Sequence, residues 1–128
     1  MAQRLIGCLM MLFLTSCMAH DKQYYRNNPQ KLQAALKNCP EQQPKAVSCD
    51  VLKDIAQEMN RYAYELQLSP QQFGQKILLL QVQLAKMQDE IKQNSNQPNL
   101  KDKIVQNQQE LETRLAVVKW LESPESHS

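Results

Sequence analysis

Apolar residues recur every three or four positions along most of the chain, and this spacing predicts amphipathic helices. In the first run, Asn28 is a suitable N-cap, Pro29 a suitable first helical residue and Pro40 a stop. A loop rich in Pro and Gln follows, and the second run begins near Ser48. The apolar positions are Leu32, Ala35, Leu36 and Cys39 in the first run, and Leu52, Ile55, Ala56, Met59, Tyr62, Ala63 and Leu66 in the second. Residues 17–68 are therefore expected to contain two helices.

A heptad pattern predicts that residues 69–122 form a helical hairpin. Ser69, Pro70 and Gln72 give a capping signal at its start. Apolar residues then follow at alternating spacings of four and three, a short polar turn comes at 94–99, and a second arm follows. The first arm carries Phe73, Ile77, Leu80, Leu84, Met87 and Ile91, and the second carries Leu100, Ile104, Leu111, Leu115, Val118 and Leu121. Two arms of similar length joined by a tight turn favour antiparallel packing.

Three further apolar residues, Leu78, Leu79 and Val82, lie outside the narrow seam of the first arm. We expect them to contact the Ser48–Leu66 helix and so complete a three-helix unit. The alternative is that this wider apolar face meets a partner chain.

No segment shows a convincing strand pattern, so the predicted fold is all-α. It consists of a short N-terminal helix linked by a disulfide to a second helix, followed by a long antiparallel, coiled-coil-like hairpin. Residues 123–128 are polar and lack an apolar anchor, so they are expected to form a flexible tail.

The start of the chain has the pattern of a bacterial lipoprotein signal. Arg4 precedes the apolar run Ile6–Leu14, and Thr15-Ser16-Cys17 follows directly. As a helix the run would rise only about 15 Å, half of a ~30 Å hydrocarbon core. We therefore expect cleavage after residue 16 and acylation of Cys17. The alternatives are an ordinary secretory signal and a short uncleaved anchor.

The expected lipid anchor places the protein in the bacterial envelope. Two or more acyl chains give stable membrane attachment where one is marginal. Met18 follows Cys17, as in lipoproteins sorted to the outer membrane, so we expect a periplasm-facing outer-membrane location. The formal net charge is only +2 and includes Arg4, so charge gives no reason to expect a nucleic-acid partner.

The four cysteines are assigned by position. Cys8 leaves with the signal and Cys17 carries the lipid, so Cys39 and Cys49 remain as one pair. In an oxidising compartment this pair is expected to form a disulfide, closing a loop of about ten residues. The alternative is a redox pair or metal site, but the spacing is not C-x-x-C and no His lies between.

Catalytic chemistry is not expected. His20 and His127 lie near the two ends of the mature chain, where solvated side chains are the expected state. They therefore provide no nucleophile–His pair and no zinc set. We expect no catalytic residue, no metal ligand and no cofactor.

One short motif raises a distant alternative, a secreted nuclease, which the residues do not support. Asp89-Glu90-Ile91-Lys92 contains an acidic-x-Lys pattern that many metal-dependent nucleases carry on a strand, where residues two apart point to the same side. Here Ile91 belongs to the heptad seam, which predicts a helix. On a helix, Glu90 and Lys92 point about 200° apart.

A spaced set of residues follows the lipoprotein signal over about residues 17–65. That set is Tyr24, Tyr25, Asn28, Pro29, Leu32, Leu36, Cys39 and Cys49. The signal and this set together give the N-terminal half a resemblance to the small entry-exclusion lipoproteins of conjugative elements. The resemblance implies an envelope protein that lowers DNA uptake by engaging part of an incoming type IV transfer machinery.

Tyr24, Tyr25 and Pro29 are the candidate interaction residues by this resemblance. The alternative is that both tyrosines pack on the Leu32/Leu36 face. The hairpin from Ser69 onward is an addition to the family pattern. It supports a rival hypothesis, an envelope scaffold or secretion-associated lipoprotein whose hairpin docks on another helical protein or on itself.

Overall fold

The computed structural model describes residues 17–42, 44 and 46–122, and the regular structure in that part of the chain is entirely helical. The five helices are α1 (Cys17–Asn27), α2 (Pro29–Lys37), α3 (Cys49–Leu68), α4 (Pro70–Gln93) and α5 (Pro98–Glu122). The all-α prediction is confirmed. The predicted signal peptide at 1–16 and the predicted tail at 123–128 lie outside the described residues.

Helix α1 is the element that the apolar pattern does not predict. Its sequence is predominantly polar, and among its residues Gln23 is buried while Tyr25 packs partly buried against the core. A polar residue on the packed face removes the usual signal of an amphipathic helix. The helix forms because α5 and α3 cover it, not because of an apolar stripe.

Two helices begin with a serine side-chain cap, one at Ser69 as predicted and one at Ser48, where only the helix start was predicted. The Ser48 hydroxyl accepts a hydrogen bond from the Val51 N–H, and the Ser69 hydroxyl accepts one from the Gln72 N–H, both at 3.3 Å. Asn28 stands at the N-cap position of α2 but makes no side-chain cap. Its Nδ2 instead donates to the Tyr24 carbonyl at 2.8 Å, satisfying an acceptor at the end of α1.

A disulfide joins Cys39 to Cys49, as predicted, at a sequence separation of 10. It connects the end of α2 to the first residue of α3. Cys49 is buried, and Cys39 is packed against the core. The bridge therefore fixes the Pro- and Gln-rich loop at the point where both helices join the hydrophobic core.

Reducing this disulfide should lower the free energy of unfolding by about 2.5–3 kcal/mol, because the unfolded chain regains the freedom of a ten-residue loop. Urea unfolding followed by circular dichroism, with and without a thiol reductant, measures the difference. The Cys39→Ala/Cys49→Ala double variant should respond to neither oxidant nor reductant. An unchanged midpoint on reduction of the wild-type chain would contradict the expectation.

One hydrophobic core joins all four helices from α2 to α5. Its buried residues are Leu32, Val47, Leu52, Ile55, Met59, Tyr62, Phe73 and Val117. Leu52 and Val117 are completely buried. Since Leu52 lies on α3 and Val117 on α5, the N-terminal helices and the hairpin share this core. All apolar positions predicted for α2 and α3 are buried or half-buried.

Helices α4 and α5 form the predicted hairpin. Every seam residue of α4 is buried or half-buried, and the turn spans 94–97, so Pro98 begins α5. The seam predicted for α5 is wrong at Leu115, which is 44% exposed. The buried residues of α5 are Thr113, Arg114 and Val117. The physical reason is that α5 packs against α1 and α3 as well as α4, so the covered side is the one that carries Thr113 and Val117, and Leu115 points about 200° away from both.

Helix α4 does contact α3, as predicted, through the rings of Phe73 and Tyr62, but the assignment of that contact to Leu78, Leu79 and Val82 is wrong. These side chains are 62%, 48% and 66% exposed. Leu78 and Val82 are four residues apart and share one side of α4, whereas Leu80 and Leu84 of the seam are buried. The outward side of α4 is therefore an apolar surface that nothing covers within the described chain.

Candidate interaction surface

The residues singled out by the family resemblance lie at the α1–α2 junction. Tyr24 is 43% exposed, whereas Tyr25 is packed partly buried against the core, and their rings meet edge to face with centroids 5.4 Å apart. Pro29 is the first residue of α2, as predicted. The alternative in which both tyrosines pack inward therefore holds for Tyr25 alone. The Tyr24 side chain is available at the surface.

A groove of about 180 Å³ opens beside this junction. It separates the start of α2 from the last turns of α5. The lining residues are Asn27, Asn28, Pro29, Gln30, Lys31, Ala116, Lys119 and Trp120. Trp120 also lines a second groove, of about 140 Å³, in which Pro29 meets residues of α2 and α3. The junction thus combines an aromatic ring, a proline and two lysines in one concave region.

A buried arginine links three of the helices at a different place, where α3 is followed by α4. The Arg114 side chain is only 8% exposed, and its guanidinium lies 4.6 Å from the Tyr62 ring centroid and 4.8 Å from that of Phe73. Its Nε donates to Glu110 at 3.0 Å, and its Nη1 lies 3.4 Å from Glu65. The charge is therefore paired and stacked, so it links α3, α4 and α5 without an unsatisfied buried cation.

A second polar contact fixes α1 against α5. Gln23 Nε2 donates to the Thr113 hydroxyl at 3.4 Å, and this hydroxyl in turn donates to the Gln109 carbonyl at 2.7 Å. Thr113 is completely buried. Arg26 forms an ion pair with Glu58 of α3 at 3.0 Å. These contacts hold the end of α1, and with it Tyr24, in a defined position.

The pKa of the Tyr62 hydroxyl is raised above its ordinary value of 10.0, mainly by burial and further by the Glu110 and Glu58 carboxylates. Because the neutral phenol is favoured in the folded state, its stabilising contribution is complete below pH 10 and is lost as pH rises through the raised pKa.

The difference in free energy of unfolding between the wild-type chain and Tyr62→Phe should therefore be constant from pH 7 to 9 and shift against the wild type above pH 10. Urea unfolding at a series of pH values measures it. Parallel curves throughout would contradict the expectation.

A third concave region lies near the hairpin turn. It is a groove of about 430 Å³ between α4 and α5, lined by Gln88, Ile91, Lys92, Lys101, Ile104 and Val105. Val105 is 52% exposed. The lining is mainly apolar, and its only charged members are the two lysines.

The acidic-x-Lys motif lies on α4, as predicted, with both Glu90 and Lys92 exposed. Among the described residues, no group of three or more His, Cys, Asp or Glu side chains is arranged to hold a metal ion. Within the same residues, no helix is both long enough and apolar enough to cross a bilayer.

Comparisons of the chain with protein-family models, with curated proteins and with solved structures found no match. Sequence reasoning missed Gln23, Thr113 and Arg114 as organising residues. Only the four-residue spacing of Glu110 and Arg114 gave a signal, and that spacing is equally typical of an exposed helix face.

Proposed function

We propose that the protein is a lipid-anchored bacterial envelope protein that acts by binding another protein. Its activity is exclusion of conjugative DNA transfer, through contact with a component of an incoming type IV transfer machinery. The anchor is Cys17, and the recognition surface is the α1–α2 junction around Tyr24 and Pro29.

The single observation that carries this proposal is the lipoprotein signal that ends at Cys17. The bond between Cys39 and Cys49 supports it, because stable disulfides form in oxidising compartments such as the bacterial envelope. The residues of the family resemblance also lie together, since Tyr24 and Pro29 flank the junction between α1 and α2.

Support for protein binding comes from the exposed aromatic and apolar side chains. Tyr24 is exposed although its neighbour Tyr25 packs inward, and the Asn28 side chain fixes the Tyr24 backbone carbonyl. A tyrosine is a favourable contact residue because its side chain has few rotatable bonds and loses little freedom on binding. The adjacent groove offers Trp120, Lys31 and Lys119 as further contacts.

A second candidate function is favoured by the outward side of α4. Leu78, Leu79 and Val82 are exposed there, which is unusual for residues of this size placed together. An envelope scaffold whose hairpin docks on a helix of another envelope protein would use this surface. In that case the α4 surface, and not the α1–α2 junction, is the recognition site.

A mating assay tests the proposed activity. Recipients that produce the protein should accept fewer transconjugants from donors carrying the element that encodes it than recipients that do not produce it. Tyr24→Ala should reduce this exclusion, whereas Tyr64→Ala, at a tyrosine that is 61% exposed on α3, should leave it intact. Unchanged transfer into producing recipients would refute the proposed activity.

The same assay separates the two candidates. A Leu79→Gln/Val82→Gln variant should keep exclusion if the junction is the recognition surface. Loss of a co-purifying envelope protein in this variant, with transfer frequency unaffected by any form of the protein, would instead support the scaffold.

A further inference from the structure

Helix α1 runs parallel to α5. Gln23 contacts Thr113, and Asn27, four residues later, shares a groove with Ala116 and Lys119, which lie further along α5. The two helices therefore advance in the same direction. The start of α1, at Cys17, consequently points toward the start of α5, which is the end of the hairpin that carries the turn.

The levels of individual residues follow from the helical rise of about 1.5 Å per residue. Counted back from Gln23, the Cys17 backbone lies about 9 Å closer to the hairpin turn. Counted back from Thr113, Val105 lies about 12 Å closer to it. Cys17 and Val105 therefore stand at nearly the same level along the molecule.

The groove at this end has the chemistry of a surface that meets lipid. Ile91, Ile104 and Val105 provide the apolar part. Lys92 and Lys101 border it, and lysines can lay their methylene stems along apolar surface while the ammonium groups reach anionic headgroups. No acidic side chain of the described chain lines the groove to oppose such contact.

Building on the proposed acylation of Cys17, we propose that the Ile91/Ile104/Val105 groove is a membrane-contact surface. The acylated residue and the groove lie at the same end of the molecule, so the anchor holds the groove against the bilayer. The turn at 94–97 is polar, so the contact is at the headgroup boundary, where apolar helix faces sink by about 5–10 Å, and not in the hydrocarbon centre. The α1–α2 junction then faces away from the membrane, toward a partner.

A fluorescent label that reports local polarity tests this inference. The chain suits single-site labelling, since Cys39 and Cys49 are bonded to each other and Cys17 is acylated under the proposal. Val105→Cys carries the label in the groove. Leu68→Cys is the matched control, because Leu68 is 67% exposed and lies next to the start of α4, about 35 Å from the turn. Both acylated full-length mature proteins are reconstituted into phosphatidylethanolamine/phosphatidylglycerol vesicles.

We expect the label at position 105 to shift its emission to the blue on reconstitution and to be quenched by a nitroxide carried on the lipids. The label at position 68 should do neither. If both proteins float with the vesicles but position 105 responds no more than position 68, the membrane-contact surface is refuted while the anchor stands. A response at position 105 that follows protein concentration and not lipid would assign the groove to a second copy of the chain, again refuting it. Failure of either protein to float would refute the anchor and the surface together.

Discussion

Replacing Leu84 by aspartate should unfold the α4–α5 hairpin. Leu84 is 8% exposed in the centre of the heptad seam, between Leu80 and Met87. An aspartate there would place an unpaired carboxylate among apolar side chains, which proteins avoid by unfolding or by protonating the group. We expect a loss of about 4 kcal/mol or more in the free energy of unfolding, a large part of the stability of a domain of this size. Urea unfolding followed by circular dichroism measures it.

The matched control is Val82→Asp, two residues earlier on the same helix. Val82 is 66% exposed on the outward side of α4, so the same carboxylate would remain in water. Its effect on unfolding should be within about 0.5 kcal/mol. Equal destabilisation by the two variants would contradict the assignment of the buried and outward sides of α4.

Replacing Cys17 by serine should release the protein from membranes. Serine cannot form the thioether that carries the acyl chains, and loss of two such chains removes nearly all of the apolar attachment. The fold should be unchanged, since the disulfide and the core lie elsewhere. Fractionation of cells into membrane and soluble envelope fractions, with immunodetection, measures the distribution.

The control for this variant is Cys8→Ser, which changes a cysteine inside the predicted signal peptide. It should leave the mature protein acylated and membrane-bound. A Cys17→Ser protein that stays in the membrane fraction to the same extent as Cys8→Ser would show that attachment does not depend on the thiol of Cys17.

Local spacing predicted the parts of the fold in which apolar residues dominate. The alternation of four and three from Phe73 to Ile91 is enough to identify the buried side of α4, because each interval returns the chain to the same face. The disulfide followed from counting the cysteines left after Cys8 and Cys17 were assigned. Ser48 and Ser69 were correctly predicted as helix starts, because each hydroxyl accepts a hydrogen bond from the N–H three residues later and such a contact is local in sequence.

The parts that failed depend on contacts between residues distant in sequence. Gln23 is buried because Thr113 receives its hydrogen bond ninety residues away, and no local pattern reports such a pairing. Arg114 is buried because the rings of Tyr62 and Phe73 cover its guanidinium. The neighbouring helices cover the side of α5 that carries Arg114 and Val117. Leu115 lies outside that side and is therefore exposed.

The intact mass of the protein purified from bacterial envelopes, combined with fragmentation of its N-terminal peptide, shows whether Cys17 carries a lipid. We predict a mature chain that begins at Cys17, with a mass increase on that residue equal to a diacylglyceryl group, with or without a further N-linked acyl chain. A chain that retains residues 1–16, or that begins with an unmodified residue, would contradict the lipid anchor and the membrane orientation derived from it.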